Sequence, residues 1–269
     1  MEKQLSEIES FYGRYNEDDR MARNSIEFIR CKEIISRYLT REKMEIADIG
    51  GATGVFSYWL QKQGHTVHLL DYTQRHIEQA KENGKKMGAT LASYTCGDAR
   101  QTPYMDEQFD LILEMGPLYH LQDSEDRLKC LREAKRLLKN GGVVLCEAIS
   151  RYANLFDGFQ KGFVRDARFV EILNENLRTG KHIPGDTPYF TTAFFHTPDL
   201  MADELAQAGF AEISLVAVEG FANAVHADAF LGDENRTSLL LQYIRSTESI
   251  RDLLGVSDHF MAIGTKGNA

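Results

Sequence analysis

The architecture this sequence predicts is a doubly wound α/β fold, a sheet of parallel strands covered by helices on both faces, and three observations predict it. Short apolar strands alternate with helices of about ten residues from 45 to 148, the rhythm of a buried parallel sheet. A glycine cluster, Gly50-Gly51-Ala52-Thr53-Gly54, sits between the first strand and the first helix of that alternation. Hydrophobic residues at 43% and charged residues at 26% are those of an ordinary globular chain, which excludes a disordered or fibrous one.

The elements follow in order. Ile26, Ile29, Ile34, Ile35, Tyr38 and Leu39 recur at three-and-four spacing, so an N-terminal helical segment over 1–44 precedes the first strand. The core, 45–149, reads as strand Ile46–Ile49, helix Val55–Gln63, strand Thr66–Leu70, helix Arg75–Lys86 and strand Leu91–Thr95. It continues with strand Phe109–Leu113, helix Asp126–Leu138, a turn at Asn140-Gly141-Gly142 and strand Val143–Cys146. From 150 to 196 the rhythm breaks, and 9 aromatics in 47 residues, 19% against 10% overall, predict a helical, aromatic-rich cap with its own small core or a lid over a substrate. Thr197-Pro198 then reads as an N-cap with proline at the first helical position, and Gly209 as that helix's end. Strands Glu212–Val218 and His259–Gly264 bring the total to seven, and a helical insertion at about 235–256 separates them within the C-terminal part, 197–269.

Composition narrows the function classes. With 31 basic against 40 acidic residues the chain carries −9, which repels nucleic-acid phosphates and anionic membrane surfaces. Lys129, Arg132, Arg136 and Lys139 do form a stripe at helical spacing, but acidic neighbours reduce the net charge over 123–140 to +2, so it reads as a solvated face. Cys31, Cys96, Cys130 and Cys146 contain no C-x-x-C pair and read as reduced thiols. The polar start and the absence of a long apolar run predict a cytoplasmic protein without leader or membrane span, in which Asn235-Arg236-Thr237 is a chance sequon. No metal is expected, since His65 and His68 are three apart on a strand and point to opposite faces. Neither a G-x-S-x-G elbow nor a P-loop is present, which disfavours serine hydrolases and P-loop enzymes.

The chemistry concentrates at the strand ends. Glycines between a strand and a helix let the backbone turn tightly and approach a ligand at the helix N-terminus. Asp71 ends the second strand 21 residues beyond Gly50, where a carboxylate receives the hydroxyls of a ribose. Gly97-Asp98-Ala99 and the acidic end Phe109–Glu114 follow strands three and four. A dinucleotide fingerprint read from Gly50 needs glycine at 52 and glycine or alanine at 55, and the sequence supplies Ala52 and Val55. Asp48 repels a pyrophosphate and favours a cationic ligand bearing a sulfonium and an amino group.

On Asp48-Ile49-Gly50-Gly51-Ala52-Thr53-Gly54, Asp71, Gly97-Asp98-Ala99, Phe109-Asp110 and the Leu138–Gly142 turn, the sequence resembles the class I S-adenosylmethionine-dependent methyltransferases of small-molecule type. The resemblance covers 45–148 well and 197–218 moderately. It implies a Rossmann-like, doubly wound seven-stranded sheet with helical cap insertions, S-adenosylmethionine as cofactor and S-adenosylhomocysteine as product. It further implies that Gly50, Gly51 and Gly54 approach the methionine part, that Asp48 orients its amino group through water or backbone, that Asp71 binds the ribose, that Asp98 and Ala99 meet the adenine, and that Tyr72 belongs to the cofactor set. Glu114, Met115 and the N-terminal Tyr15 complete the implied cofactor set, Tyr15 or Arg20 folding over the cofactor. The family's usual glycine is replaced by Ala52, and Gly51 is expected to supply the missing backbone freedom.

Glu114-Met115-Gly116-Pro117-Leu118-Tyr119-His120 lies where such folds place the acceptor, which makes Tyr119 and His120 the catalytic candidates. An imidazole with an ordinary pKa of about 6.5 takes a proton at neutral pH. Tyr152 and His196 are further substrate candidates. The implied reaction is direct displacement of the methyl group onto a small, apolar or aromatic acceptor. The Asn/Asp-Pro-Pro-Tyr signature of nucleobase and amide N-methyltransferases is replaced by Gly116-Pro117-Leu118-Tyr119. Two alternatives stand beside this reading: a protein that senses the nucleoside without catalysis, and an NAD(P)-dependent oxidoreductase, disfavoured by Asp48, Ala52 and Val55. The expected partner is a small molecule, and the cap and N-terminal helix offer apolar faces for a homodimer.

Overall fold

A computed structural model describes residues 25–225, 230 and 233–267; Tyr15 and Arg20 lie outside the described residues. Helix α1 (Ser25–Ser36) leads into β1 (Glu45–Ile49), α2 (Val55–Gln61), β2 (Thr66–Asp71), α3 (Gln74–Met87) and β3 (Ser93–Cys96). The second half of the core is β4 (Phe109–Glu114), the four-residue α4 (Pro117–His120), α5 (Ser124–Leu137) and β5 (Leu138–Ile149). Helices α6 (Ala153–Gln160) and α7 (Ala167–Thr179) and the short strands β6 (Lys181–His182) and β7 (Ala193–Phe194) form the segment between 150 and 196. Then come α8 (Pro198–Gln207), β8 (Ala211–Ala217), α9 (Glu234–Thr247), α10 (Arg251–Leu254) and β9 (His259–Thr265).

Seven strands form one sheet in the order β3-β2-β1-β4-β5-β9-β8. All contacts from β3 to β5 are parallel, but β9 runs antiparallel to both β5 and β8. The parallel sheet expected from the alternation over 45–148 is present in β1 to β5, and the antiparallel β9 makes the sheet as a whole a mixed one. The chain leaves β8 and re-enters at β9 on the same edge of the sheet, with no crossover to carry it back, so β9 must run in the opposite direction.

Alternate side chains feed two cores. Ile46, Val67, Leu69, Leu113 and Leu145 pack against Cys31, Ile34, Phe56 and Ile77 of α1–α3. Ala47, Ile49, Ile112, Val144 and Cys146 pack against Leu131, Leu137, Met201 and Leu205 of α5 and α8. Each such buried aliphatic side chain contributes ~1.5–3 kcal/mol, so the sheet is fixed from both faces. The turn expected at Asn140-Gly141-Gly142 lies inside β5 as an outward bulge. Phe109 pairs with Leu138 and Leu111 with Val143, and Gly141 takes φ 75°.

The cap has its own aromatic core, with Phe163, Phe169 and Tyr189 centroids 4.8–5.4 Å apart. It is tied down at Gln122, whose amide donates to the carbonyls of His182 and Ala193 at 3.2 and 3.1 Å. As the sequence predicts, the Thr197 hydroxyl caps α8 by accepting from the Leu200 amide, and Gly209 follows that helix with φ 88°.

Candidate active site

Strand register brings the chemistry to one edge. Ile49 is opposite Leu70 and Glu114, so the loop after β1, the end of β2 and the loop after β4 share the carboxyl edge of the sheet. Strand order reverses between β1 and β4, and a cleft of about 1120 Å³, including space open to solvent, lies at that switch point. Its β1–β3 half is lined by Asp48, Gly50, Gly51, Asp71, Asp98 and Ala99, and Tyr72 adds a rim. Its other half is lined by Phe56, Met115, Tyr119, His120 and Glu147.

The loop between β1 and α2 is shaped by sterics. Gly50, at φ 77°, lies so close to Pro117 that a Cβ would come within 2.5 Å of the proline ring. A Cβ on Gly51 would meet Leu69 Cδ1 at 2.4 Å and the Asp48 carboxyl at 2.5 Å. The left-handed residue is not Gly51 but Ala52 itself, at φ 46°, which corrects the expectation that Gly51 lends the loop its freedom. The Ala52 amide is held there by Asp71 Oδ2 at 3.0 Å.

Asp48 is buried, accepts from the Ser57 hydroxyl at 2.6 Å through Oδ2, and has no hydrogen-bond partner at Oδ1. Burial, with the nearby Asp71 charge, outweighs the Ser57 bond and pushes its carboxyl up to about 6. A buried acceptor facing the cleft without a partner fits the ammonium of an amino-acid moiety. Asp71 Oδ1 accepts from the Thr73 amide at 2.8 Å and faces His76 Nδ1 at 3.0 Å. A carboxylate has about four acceptor sites, so three protein contacts leave capacity for a ribose hydroxyl. Asp98 is gripped by Arg100, whose amide and Nε lie 2.9 and 3.0 Å from Oδ1, and Arg100 is tied in turn to Asp126 at 2.7 Å. Burial opposes ionisation of Asp98, but the Arg100 bonds hold its carboxyl below the usual range.

On the other half, Tyr119 is buried with its hydroxyl donating to the Met115 carbonyl at 3.3 Å, and its ring meets the His120 imidazole edge-on at 4.8 Å. Phe190 of the cap stacks on His120 at 6.3 Å. Its backbone is fixed by His182, which stands between the Phe190 carbonyl at 3.0 Å and Asn154 at 2.9 Å. Burial pushes His182 down to about 4, so it serves as a neutral strut.

Four predicted residues stand elsewhere. Glu114 is fully buried behind the cleft, where Cys130 donates to it at 3.1 Å, and burial pushes its carboxyl up to about 8. Gly54 caps α2 in a left-handed conformation against Tyr58 and shapes the loop without lining the cleft. Tyr152 is exposed, packed on Gly255. His196 is fully buried against Glu204 at 3.2 Å, below Phe194, whose ring carries the Arg127 guanidinium 3.7 Å from its centroid. Burial pushes the His196 pKa down, and the group joins cap to core at a distance from the acceptor half. His65 and His68 face apart, the first toward the Met44 amide and the second between Ser93 and Glu45. Among the described residues, Glu27, Glu219 and His259 bring ligand-type atoms within 4.8 Å of one another. Glu219 is spent there on His259 Nδ1 at 2.8 Å, the His259 amide and Ser257. Glu147, Arg100 and Phe56 escaped the sequence reading. For Glu147 the available signal was a glutamate within an otherwise apolar central strand.

Residues 47–146, which lie within the seven-stranded sheet, match the family model described as a methyltransferase domain. The chain is 32% identical over 143 residues to a release factor glutamine methyltransferase of Bacillus anthracis, covering 49% of this chain and 50% of that protein. It is 30% identical over 175 residues to a ubiquinone biosynthesis O-methyltransferase of Cereibacter sphaeroides, covering 65% and 63%. The match thus spans half to under two thirds of these relatives' lengths. A solved S-adenosylmethionine-dependent methyltransferase from Methanosarcina mazei has the same fold, with TM-score 0.60, 18% identity, and coverage of 88% of this chain and 98% of that one. Among the described residues no helix is long and apolar enough to cross a membrane.

Proposed function

We propose that the chain transfers a methyl group from S-adenosylmethionine to a small-molecule acceptor with an aromatic or apolar body, by direct displacement. The bound cofactor supplies an electrophilic methyl group whose leaving group is already in place. The chain's own residues bind and orient. Asp48 Oδ1 receives the ammonium, Asp71 the ribose, and Asp98 with Ala99 flanks the adenine. Tyr119 and His120 form the wall against which the acceptor aligns. Alignment of this kind is worth up to ~7–11 kcal/mol, so positioning carries much of the acceleration.

The observation that carries this reading is the single cleft joining the acidic β1–β3 edge to the Phe56–Tyr119–His120 wall at the switch point. The relative named for ubiquinone biosynthesis supports a small aromatic acceptor. The relative named for release factor glutamine points to a protein acceptor, but Gly116-Pro117-Leu118-Tyr119 stands where an amide methyltransferase signature belongs. Calorimetric titration with S-adenosylmethionine, S-adenosylhomocysteine and NADH tests the reading. Micromolar binding of the first two without NADH is expected, and binding of NADH alone, or of none, would overturn it.

A further inference from the structure

The cofactor half of the cleft depends on which oxygen of Asp48 reaches it. Asp48 is the penultimate residue of β1, and its neighbours across the sheet, Leu69 of β2 and Leu113 of β4, are apolar. The carboxyl is buried beneath the loop that follows the strand. Its Oδ2 is enclosed on two sides. The Ser57 hydroxyl donates to it at 2.6 Å, and the backbone of Gly51 passes so close that a Cβ there would come within 2.5 Å of it. Oδ1 has no hydrogen-bond partner among the described residues. The last torsion of an aspartate is broad, so the plane of the carboxyl is set by what it bonds to. Ser57 supplies that bond. It is fully buried on the first turn of α2 and stands outside the lining of the cleft, so any effect it has on a ligand passes through Asp48.

The same bond bears on charge. Burial opposes ionisation of Asp48 most strongly, the Ser57 hydroxyl favours it, the Asp71 carboxylate at the end of β2 opposes it, and the Ser57 amide favours it. The His76 imidazole of α3 faces Asp71 at 3.0 Å. An ammonium pairs with the ionised carboxylate, so a residue that favours the charged form also favours the ligand.

We infer that Ser57 is a positioning residue for the cofactor: by holding Oδ2 it turns Oδ1 toward the cleft and keeps Asp48 charged for the ammonium of the amino-acid moiety. The inference rests on the methyl-transfer reading above and adds the device that sets the pH range over which the cofactor is taken up.

The experiment titrates the full chain calorimetrically with S-adenosylhomocysteine from pH 5 to 8, in the wild type, in Ser57→Ala and in the near-isosteric Ser57→Cys. Wild-type affinity should rise with pH through a midpoint of about 6. A hydrogen bond to a charged group is worth roughly one to two pH units of its titration, and Ser57→Ala should move the midpoint up by that much. A rise of one unit cuts the ionised fraction at pH 6 from about one half to about one tenth, roughly a fivefold loss of affinity. Ser57→Cys, whose thiol is a weak donor, should fall between the two, and it decides the question if Ser57→Ala does not fold. In an Asp48→Ala background, where the hydroxyl has no carboxylate to hold, Ser57→Ala should change affinity by less than about twofold. A midpoint lowered, or unmoved within about 0.3 unit, in both single variants overturns the inference. So does wild-type affinity that is level across the pH range. An equal loss from Ser57→Ala in the Asp48→Ala background also overturns it, because a merely structural role persists without the carboxylate. These failures leave the methyl-transfer reading intact, whereas S-adenosylhomocysteine that binds the wild type at no pH brings down both.

Discussion

Asp48 offers the most direct test of the cofactor half, because its geometry and its titration make one quantitative statement. The displacement of its carboxyl from 3.8 to about 6 corresponds to roughly 3 kcal/mol of unfavourable charge burial in the ligand-free protein. The folded carboxyl holds its proton to higher pH than the unfolded one, so the folded state binds more protons between 3.8 and about 6. Stability from this group therefore falls as pH rises through that window and is level above it. A ligand ammonium at Oδ1 needs the ionised form. A carboxyl titrating at about 6 is roughly nine-tenths ionised at pH 7 and one-tenth at pH 5, so S-adenosylhomocysteine affinity should fall about tenfold between them. Asp48→Asn removes the buried charge. Its ligand-free form should resist urea better than the wild type at pH 7, by up to roughly 3 kcal/mol, while binding S-adenosylhomocysteine more weakly and without that pH dependence. Calorimetry at pH 5, 6 and 7 with urea unfolding at the same values reads both quantities. Wild-type affinity that stays level from pH 5 to 7, or a variant no more stable than the wild type at pH 7, would refute the reasoning.

Three further outcomes follow from the geometry. Asp71→Ala removes the acceptor for the Ala52 and Thr73 amides as well as the proposed ribose contact. Calorimetry should show S-adenosylhomocysteine affinity reduced by about 100-fold, corresponding to roughly 3 kcal/mol from charge-assisted bonds; affinity within threefold of wild type would remove Asp71 from the ribose site. Ala52→Gly relieves a left-handed alanine and should raise stability by about 1 kcal/mol in urea, and a loss of stability would mean that the loop does not hold φ 46°. Glu204→Ala leaves Arg127 and His196 without the carboxylate they share, at a cost of ~3–5 kcal/mol in a thermal or urea scan. A cost under about 1 kcal/mol would show that this network does not bind cap to core.

Much of the core was legible because local chemistry decides it. Apolar runs bounded by glycine marked the strands, and Thr197-Pro198 and Gly209 marked α8 at both ends, since capping and left-handed turns depend on adjacent residues. Asp48, Gly50, Asp71 and Asp98 line one cleft because spacing along a strand-turn-helix unit translates into position at a strand end. His196 and Tyr152 misled because an aromatic or imidazole side chain in an irregular segment carries no sign of the direction it faces. Glu114 misled for a related reason, since the last residue of a strand points either into the cleft or beneath it.

By itself, then, the sequence determined the alternation of elements, the loop after β1 and the run of acids along one edge, all set by interactions within a few residues. Only the tertiary structure decided the reversed β9, the left-handed Ala52 and the placement of Glu147 in the lining of the cleft. Each depends on partners far away in the chain: β9 on the edge from which β8 departs, Ala52 on Asp71, and Glu147 on Cys31 of α1 and the pairing of β5 with β4. Contacts across 19 or 116 positions are made by packing of the whole sheet, and local pattern holds no record of them.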